Sequence, residues 1–404
     1  MKVKIPTAIV NKIRTAICSD LSFIDLTEKQ YQRLFKTLLE LWLFIYNKQV
    51  EDIDTNNLKL YTNIDSKDLS VFIFKVNGKN IKYNQLLITI QDLIDVNQKY
   101  SAGAGGFYKG YRIKTEFLCE SNFTEMELDM DKVFHNSRDK SFWIKKYPNH
   151  QHLINDAYDC SVDLDSYLDW MQNNRGSELQ PVYNKRSKMI EKRYLTNDVM
   201  NFHLLLATKV NCKNLWFKVS DEGRFYSSIS NLPKGSIHFL KMNYQSVVSI
   251  DLKNCQPLLL SSIIYHPKFK VDCEFGRFYD VLVEQNHLGG GFSNLSRGVV
   301  KQMFYRFLFF GDNQLKSGKF YDLVEQSYPG LINIVNEIKS STKLYSKLQR
   351  LESNLFVDRL GHLPIKKLIR HDEILVADEH KDLVVKCLLI ELKKDNVNLK
   401  YKII

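Results

Sequence analysis

The sequence predicts an α+β protein built in more than one domain, and three observations carry that expectation. The first is a long-period stripe: between Glu28 and Lys48, Tyr31, Leu34, Leu38, Leu41 and Phe44 recur three or four apart, behind Thr27 as a helix cap. The second is a set of short β-branched runs at 247–250, 368–369 and 374–376, the last two flanking a tight polar turn. The third is length, since 404 residues are more than one hydrophobic core usually organises.

Composition narrows the class. With 44% hydrophobic and 25% charged residues the chain reads as an ordinary soluble protein. Its longest apolar runs, 41–46 and 257–265, fall short of the roughly 20 residues needed to span a bilayer. Asn11, Lys12 and Arg14 interrupt any signal-peptide core. The seven cysteines are scattered without a C-x-x-C pair, and no H-E-x-x-H occurs among the ten histidines. The expectation is therefore a chain of a reducing, cytoplasmic compartment with no membrane partner. Fifty-seven Lys and Arg against 46 Asp and Glu leave a net charge of +11, which suits a polyanionic partner such as nucleic acid.

In the first quarter, a helical stripe from Tyr83 to Ile94 runs into 95–100, a turn with Gly103, Gly105 and Gly106, and a basic-aromatic strand at 108–114. That order resembles the last helix and wing of a winged-helix domain, with Lys99, Lys109, Arg112 and Lys114 toward a nucleic-acid backbone. An unrelated helix followed by a hairpin reads the same way. The glycine turn lacks the spacing of a phosphate-binding loop. Residues 120–200 read as polar and mostly helical. The row Asp156, Asp159, Asp163, Asp165 and Asp169 does not match an EF-hand loop and reads as the solvated face of a helix packed through Leu164, Leu168 and Trp170. Lys185, Arg186, Lys188, Lys192 and Arg193 line a backbone or simply face solvent. The expected division is an accessory domain at 1–120, a helical region at 121–215 and a catalytic domain at 216–404.

Four short blocks in the second half carry chemistry. Residues 223–233 contain Arg224 and Asn231. The strand 247–250 ends on Asp251, followed by Leu252 and Gln256. Arg297 and Lys301 lie four apart, on one helical face behind Ser293 or Ser296 as caps, with Tyr305 eight residues on. His371-Asp372-Glu373 occupies the polar turn. Aspartates at two strand tips suit a pair of Mg²⁺ ions, which take oxygen ligands, keep waters and are held by one or two carboxylates plus substrate phosphates. Two cations at the start of a helix suit a triphosphate.

These blocks, in this order, resemble the family A DNA polymerases, the group that includes bacterial DNA polymerase I. Residues 223–233 are similar to the family's T-G-R-x-S-S-x-x-P-N-L-Q-N-I-P element. Residues 251–256 are similar to motif A, D-Y-S-Q-I-E, and Arg297, Lys301 and Phe310-Gly311 to motif B, R-x₃-K-x₇-Y-G. His371-Asp372-Glu373 is motif C unaltered.

The resemblance covers roughly 215–380 and implies a right-hand polymerase fold: an antiparallel palm sheet, a short helical fingers region and a helical thumb. It implies Asp251 and Asp372, with the Leu252 carbonyl, as ligands of two Mg²⁺ ions (Mn²⁺ able to substitute), and Glu373 beside them. It implies Arg297 and Lys301 on the triphosphate, with Lys301 also donating a proton to the leaving group, and Tyr305 against the sugar. Arg224, Asn231, His371 and Gln349 would meet primer–template nucleic acid, expected to be DNA. Gln349 also reads as part of an amphipathic helix over the sheet, with Leu348, Leu351, Leu355 and Val357 on one side and Gln349, Glu352 and Ser353 on another.

Departures from the pattern are plain. Gln256 stands where the family has a ribose-excluding glutamate, and motif B is one residue longer, leaving Phe309 and Phe310 as alternatives at the templating base. No D-x-E and Y-x₃-D pattern of a proofreading exonuclease appears in the N-terminal half. The implied reaction is template-directed addition of nucleoside triphosphates to a 3′-hydroxyl, in a setting such as a bacterium, phage or mobile element. Its rivals are a single-subunit RNA polymerase or primase on the same palm, and a catalytically inactive nucleic-acid-binding replication protein.

Overall fold

The computed structural model describes residues 2–52, 61–97, 109–114, 122–134, 138–184, 189–289, 292, 295–306 and 316–400. The protein is mixed α+β with antiparallel sheets. It forms two compact units, residues 1–139 with 161–215 and residues 140–160 with 216–404. The segment expected as one helical region, 121–215, is thus shared between them. It also holds the strands Phe123–Glu127, Cys160–Val162, Glu178–Asn184 and Met189–Tyr194 beside its helices. The last two pair as a hairpin, because Val182, Tyr183 and Ile190 favour strand over helix.

The first unit is organised around the helix Glu28–Asp52. Thr27 caps it in a reciprocal box: the Gln30 N–H donates to Thr27 Oγ1 at 3.3 Å, and the Thr27 N–H to Gln30 Oε1 at 2.8 Å. Leu34, Leu38, Leu41 and Phe44 of the expected stripe are buried, and burial runs unbroken from Leu38 to Asn47, so the unit wraps this helix on all sides. Glu40 is buried with it, its Oε1 accepting the Asp129 N–H at 2.9 Å. Burial holds its carboxyl above the usual range, opposed by that bond and Lys132.

A three-stranded sheet places Lys109–Ile113 between Thr62–Ile64 and Ile94–Asn97. The helix before it ends at Thr89, short of the expected Ile94, which already begins a strand. Lys99 and the glycine turn lie outside the described residues. Arg112 stands opposite Asp95 in the ladder and donates to it through Nε at 3.0 Å, while Lys114 Nζ lies 3.9 Å from the same carboxylate. Two of the cations expected on a wing are therefore neutralised locally.

In the second unit the sheet runs in the order Lys367–Arg370, Glu373–Ala377, Gln245–Asp251, Leu240–Met242. Between the Asp251 strand and the hairpin carrying Asp372 lie seven helices among the described residues, from Cys255–Ile263 to Leu344–Ser353. They have an aromatic core of their own. Phe278 sits 4.5 Å from Phe304, 5.1 Å from Phe269 and 5.4 Å from Tyr328, ring centroid to ring centroid.

The aspartate row divides between elements. Asp156 lies in the helix Gln151–Tyr158, where it accepts the Lys367 N–H at 3.2 Å and stands 3.7 Å from the buried Lys367 ammonium. Asp159 pairs with Lys366 at 2.5 Å. Asp163 caps the helix Leu164–Asn173, whose buried residues are Tyr167, Leu168 and Met171. Three of the five aspartates thus hold structure, Asp159 while exposed, and they do not share one helix.

Beside that pair, the His152 and His362 rings approach to 4.3 Å, and His152 Nε2 is buried with no hydrogen-bond partner among the described residues. Burial, then the charges of His362 and Lys367, push His152 down to about 4. An unfolded histidine titrates near 6.5, so folding favours the neutral ring. That contribution is complete above pH 6.5 and is lost as pH falls toward about 4. Thermal unfolding across this window is expected to show a shallower loss for His152→Gln than for the parent chain. Parallel curves would refute the assignment.

Candidate active site

The Asp251 strand and the 373–377 strand pair antiparallel in a register that sets Ile250 opposite Ile374 and Asp251 opposite Glu373. One residue on, the Leu252 N–H donates to the Asp372 carbonyl at 3.2 Å, which carries the ladder into the turn. His371 opens that turn with φ +58°, a left-handed conformation that a two-residue hairpin turn can require. The two aspartates, 121 positions apart in sequence, thus end adjacent strands.

Asp251 is exposed and Asp372 half-buried. Burial raises the Asp372 carboxyl above its ordinary range, partly offset by a backbone hydrogen bond and the positive charge of Lys301, while Glu373 adds to the rise. Glu373 is engaged along the sheet, accepting a short hydrogen bond from Ser249 Oγ and lying 3.9 Å from Arg370 Nε.

Behind the strand tips, Asn254 adopts φ +56° and starts the helix Cys255–Ile263. The buried Cys255 senses the site around it. Burial pushes its thiol well up, and the charges acting on it are those of Glu352, Asp372, Arg224 and Asp251. Burial likewise pushes the Tyr305 phenol up, with Asp372, Cys255 and Glu352 adding to the rise and Arg224 opposing it. Both carboxylates, Arg224, Tyr305 and Glu352 therefore converge on one locus.

Glu352 is the member that sequence reasoning set on a polar side of its helix. Leu348, Glu352 and Leu355 follow the i, i+4, i+7 rule of a buried face, and their exposures are 0%, 2% and 0%. An acid at an apolar-stripe position was the available signal. Glu352 Oε2 accepts Arg224 Nη2 at 2.8 Å and a short hydrogen bond from Gln256 Nε2. Burial raises its carboxyl despite the opposing Arg224 charge. Gln256 Oε1, Glu352 Oε1 and Arg224 Nε are buried without hydrogen-bond partners among the described residues. The Arg224 turn docks on the same helix, where Ser346 Oγ donates to Glu222 at 3.0 Å and Gly223, at φ +86°, faces Ser353.

Ser296 caps the helix Arg297–Phe304, accepting from the Val299 N–H at 3.4 Å. Lys301 is exposed, its Nζ 5.7 Å from the Tyr305 ring centroid. Arg297 is engaged differently from its helical neighbour: it donates to Asn254 Oδ1 at 2.8 Å and lies 3.1 Å from Asp280.

His371 packs edge-on against Tyr226 at 5.2 Å, and its Nδ1 is buried with no hydrogen-bond partner among the described residues. Burial, Arg224 and Arg370 push it down to about 4, so it is neutral at pH 7. Asn231 is exposed at the end of the short helix Ser228–Asn231, and no contact links it to the carboxylates. Gln349 is half-buried one turn before Ser353, which donates to its carbonyl. Phe309 and Phe310 lie outside the described residues.

The chain matches no family model, no curated protein and no solved structure. Among the described residues no cluster of three or more His, Cys, Asp or Glu side chains forms a ready metal cage, and no helix is long and apolar enough to cross a membrane. The six described cysteines are free thiols. A pair of carboxylates with room for phosphate oxygens is the donor set that Mg²⁺ accepts without an all-protein cage.

Proposed function

We propose that the second unit is a right-hand nucleotidyltransferase of the family A polymerase kind, adding nucleotides to a primer 3′-hydroxyl under the direction of a template. The observation that carries this reading is the meeting of Asp251 and Asp372 at adjacent strand tips, with Lys301 acting on Asp372. Asp251, Asp372 and the Leu252 carbonyl would hold Mg²⁺, or Mn²⁺ in its place. When bound, such ions activate the attacking hydroxyl and stabilise the leaving pyrophosphate.

The chain's own groups supply the rest. Lys301, exposed at the second turn of its helix, would meet the triphosphate and donate a proton to the leaving group. Arg297 would join it by exchanging Asp280 for phosphate. Tyr305, half-buried and within electrostatic reach of Glu352 and Arg224, would wall the sugar site. The neutral His371 would donate a hydrogen bond to a primer phosphate without adding charge.

One observation favours a second reading, in which the product is RNA. Gln256 is a neutral amide drawn onto Glu352, with its oxygen left unpartnered to accept a hydrogen bond from a sugar hydroxyl.

Primer extension on a DNA template with Mg²⁺, using dNTPs and rNTPs in parallel, tests both. Extension that vanishes in Asp251→Ala and Asp372→Ala supports the enzyme, and the preferred nucleotide decides the product. No incorporation of either nucleotide above those variants refutes the proposal.

A further inference from the structure

The first unit carries a charged surface that the carboxylate site does not use. The strands Ile73–Val76 and Lys79–Lys82 form an antiparallel hairpin. Asn77 and Gly78 close it with φ of 46° and 74°, the positive pair that a two-residue hairpin turn demands. Its inner face is anchored: Phe74 is buried in the core of the unit, and Val76 and Ile81 pack against that core.

Its outer face is not covered within the described residues. Register places Ile73 opposite Lys82 and Lys75 opposite Asn80, and all four are exposed; Lys79, opposite Val76, alternates to the other side of the ribbon but is exposed at its tip. No acidic residue occurs anywhere from 69 to 91. None of the three lysines forms an ion pair among the described residues, whereas Arg112 and Lys114 on the neighbouring sheet both meet Asp95. The helix Tyr83–Thr89 follows without a break and exposes Asn84 and Ile88.

We infer that the outer face of this hairpin docks double-stranded nucleic acid. A two-stranded ribbon is narrow enough to enter a major groove. Lys75 and Lys82 lie two ladder steps apart, about 7 Å at a strand rise of about 3.3 Å per residue. A duplex strand presents one phosphate charge per ~3.4 Å of helix rise, so each lysine meets a different phosphate. Asn80 offers an amide, and Ile73 an apolar contact, to base edges. A lipid surface would need a broader apolar face than the single Ile73. An acidic protein would have no use for a ribbon with hydrogen-bonding groups between its cations.

The test is binding of the full chain to a fluorescently labelled blunt DNA duplex of about 20 base pairs, by anisotropy across a salt series. Lys75→Ala/Lys79→Ala/Lys82→Ala is expected to weaken binding about tenfold or more at moderate salt and to flatten the log–log salt slope by about 2 to 3. Arg138→Ala/Arg175→Ala, which removes two exposed charges of the same unit that lie outside the hairpin and the helix beside its tip, is expected to leave affinity and slope near the parent values. An unchanged slope and affinity in the triple variant overturns the inference, as does an equal loss in the control.

Primer extension by the parent chain, measured beside these titrations, separates this inference from the enzymatic one. Hairpin-dependent binding without extension refutes only the polymerase reading. Extension with hairpin-independent binding refutes only the docking surface.

Discussion

Asp372→Asn is expected to lower primer extension by about a thousandfold, an activation cost of about 4 kcal/mol, while leaving the free protein at least as stable as before. The two effects have one cause. Asp372 is half-buried, and Glu373 adds a like charge beside it, so its ionised form is disfavoured in the free protein. Asparagine removes that charge and with it the site's grip on a divalent cation. Such a trade, stability conceded for a charge that a ligand later needs, marks functional rather than structural acids.

A second readout follows from mass action, since a ligand that binds only the folded state raises its melting temperature. Millimolar Mg²⁺ is expected to raise the melting temperature of the parent chain, with little effect on Asp372→Asn or Asp251→Ala. Retained extension in both variants, or equal Mg²⁺ protection in all three proteins, would remove the carboxylates from the mechanism.

Glu352→Ala is expected to destabilise the protein by about 3 kcal/mol or more, because it strands a guanidinium that the fold has taken out of water. Arg224 and Gln256 both reach the same Glu352 oxygen, and the carboxylate is 2% exposed. For a unit the size of the second, a loss of that order lowers its melting temperature by roughly 6–12 °C.

The sharper experiment exchanges the acid and the amide. Gln256→Glu alone brings two buried carboxylates together and is expected to be costly. Glu352→Gln alone leaves Arg224 without its counter-charge. Combined, the two substitutions restore one acid and one amide beside Arg224, and most of the lost stability should return. A double variant no better than the poorer single one would show that the three side chains do not act as a unit. Because Tyr305 senses Glu352 and Arg224, the exchange is also expected to change the ratio of dNTP to rNTP use. A purely structural cluster would leave that ratio alone.

Much of the local architecture was legible in the residues because it depends on short-range rules. The Thr27 cap, the stripe of the long helix, the Ser296 cap and the strand–turn–strand at 367–377 each follow from spacing or turn chemistry over a few positions. The same rules misled where two periods compete. Residues 120–200 read as mostly helical, yet Glu178–Asn184 and Met189–Tyr194 pair as antiparallel strands, since pairing rewards β-branched and aromatic residues that a helix only tolerates. The aspartate row looked like one solvated face, and two of its members instead neutralise Lys366 and Lys367 from more than 200 residues away.

By itself the sequence determined which residues are acidic, basic or strand-forming, and that Asp251 and Asp372 would each stand at the end of a short strand. The tertiary structure decided that those strands are neighbours in matching register, that Arg297 meets Asp280 while Lys301 acts on Asp372, and that Glu352 is buried against Arg224 and Gln256. The physical reason is range. Caps, turns and periodicity are settled within a few residues, whereas the worth of a charge depends on the water and counter-charge around it, which only distant parts of the chain, folded together, can supply.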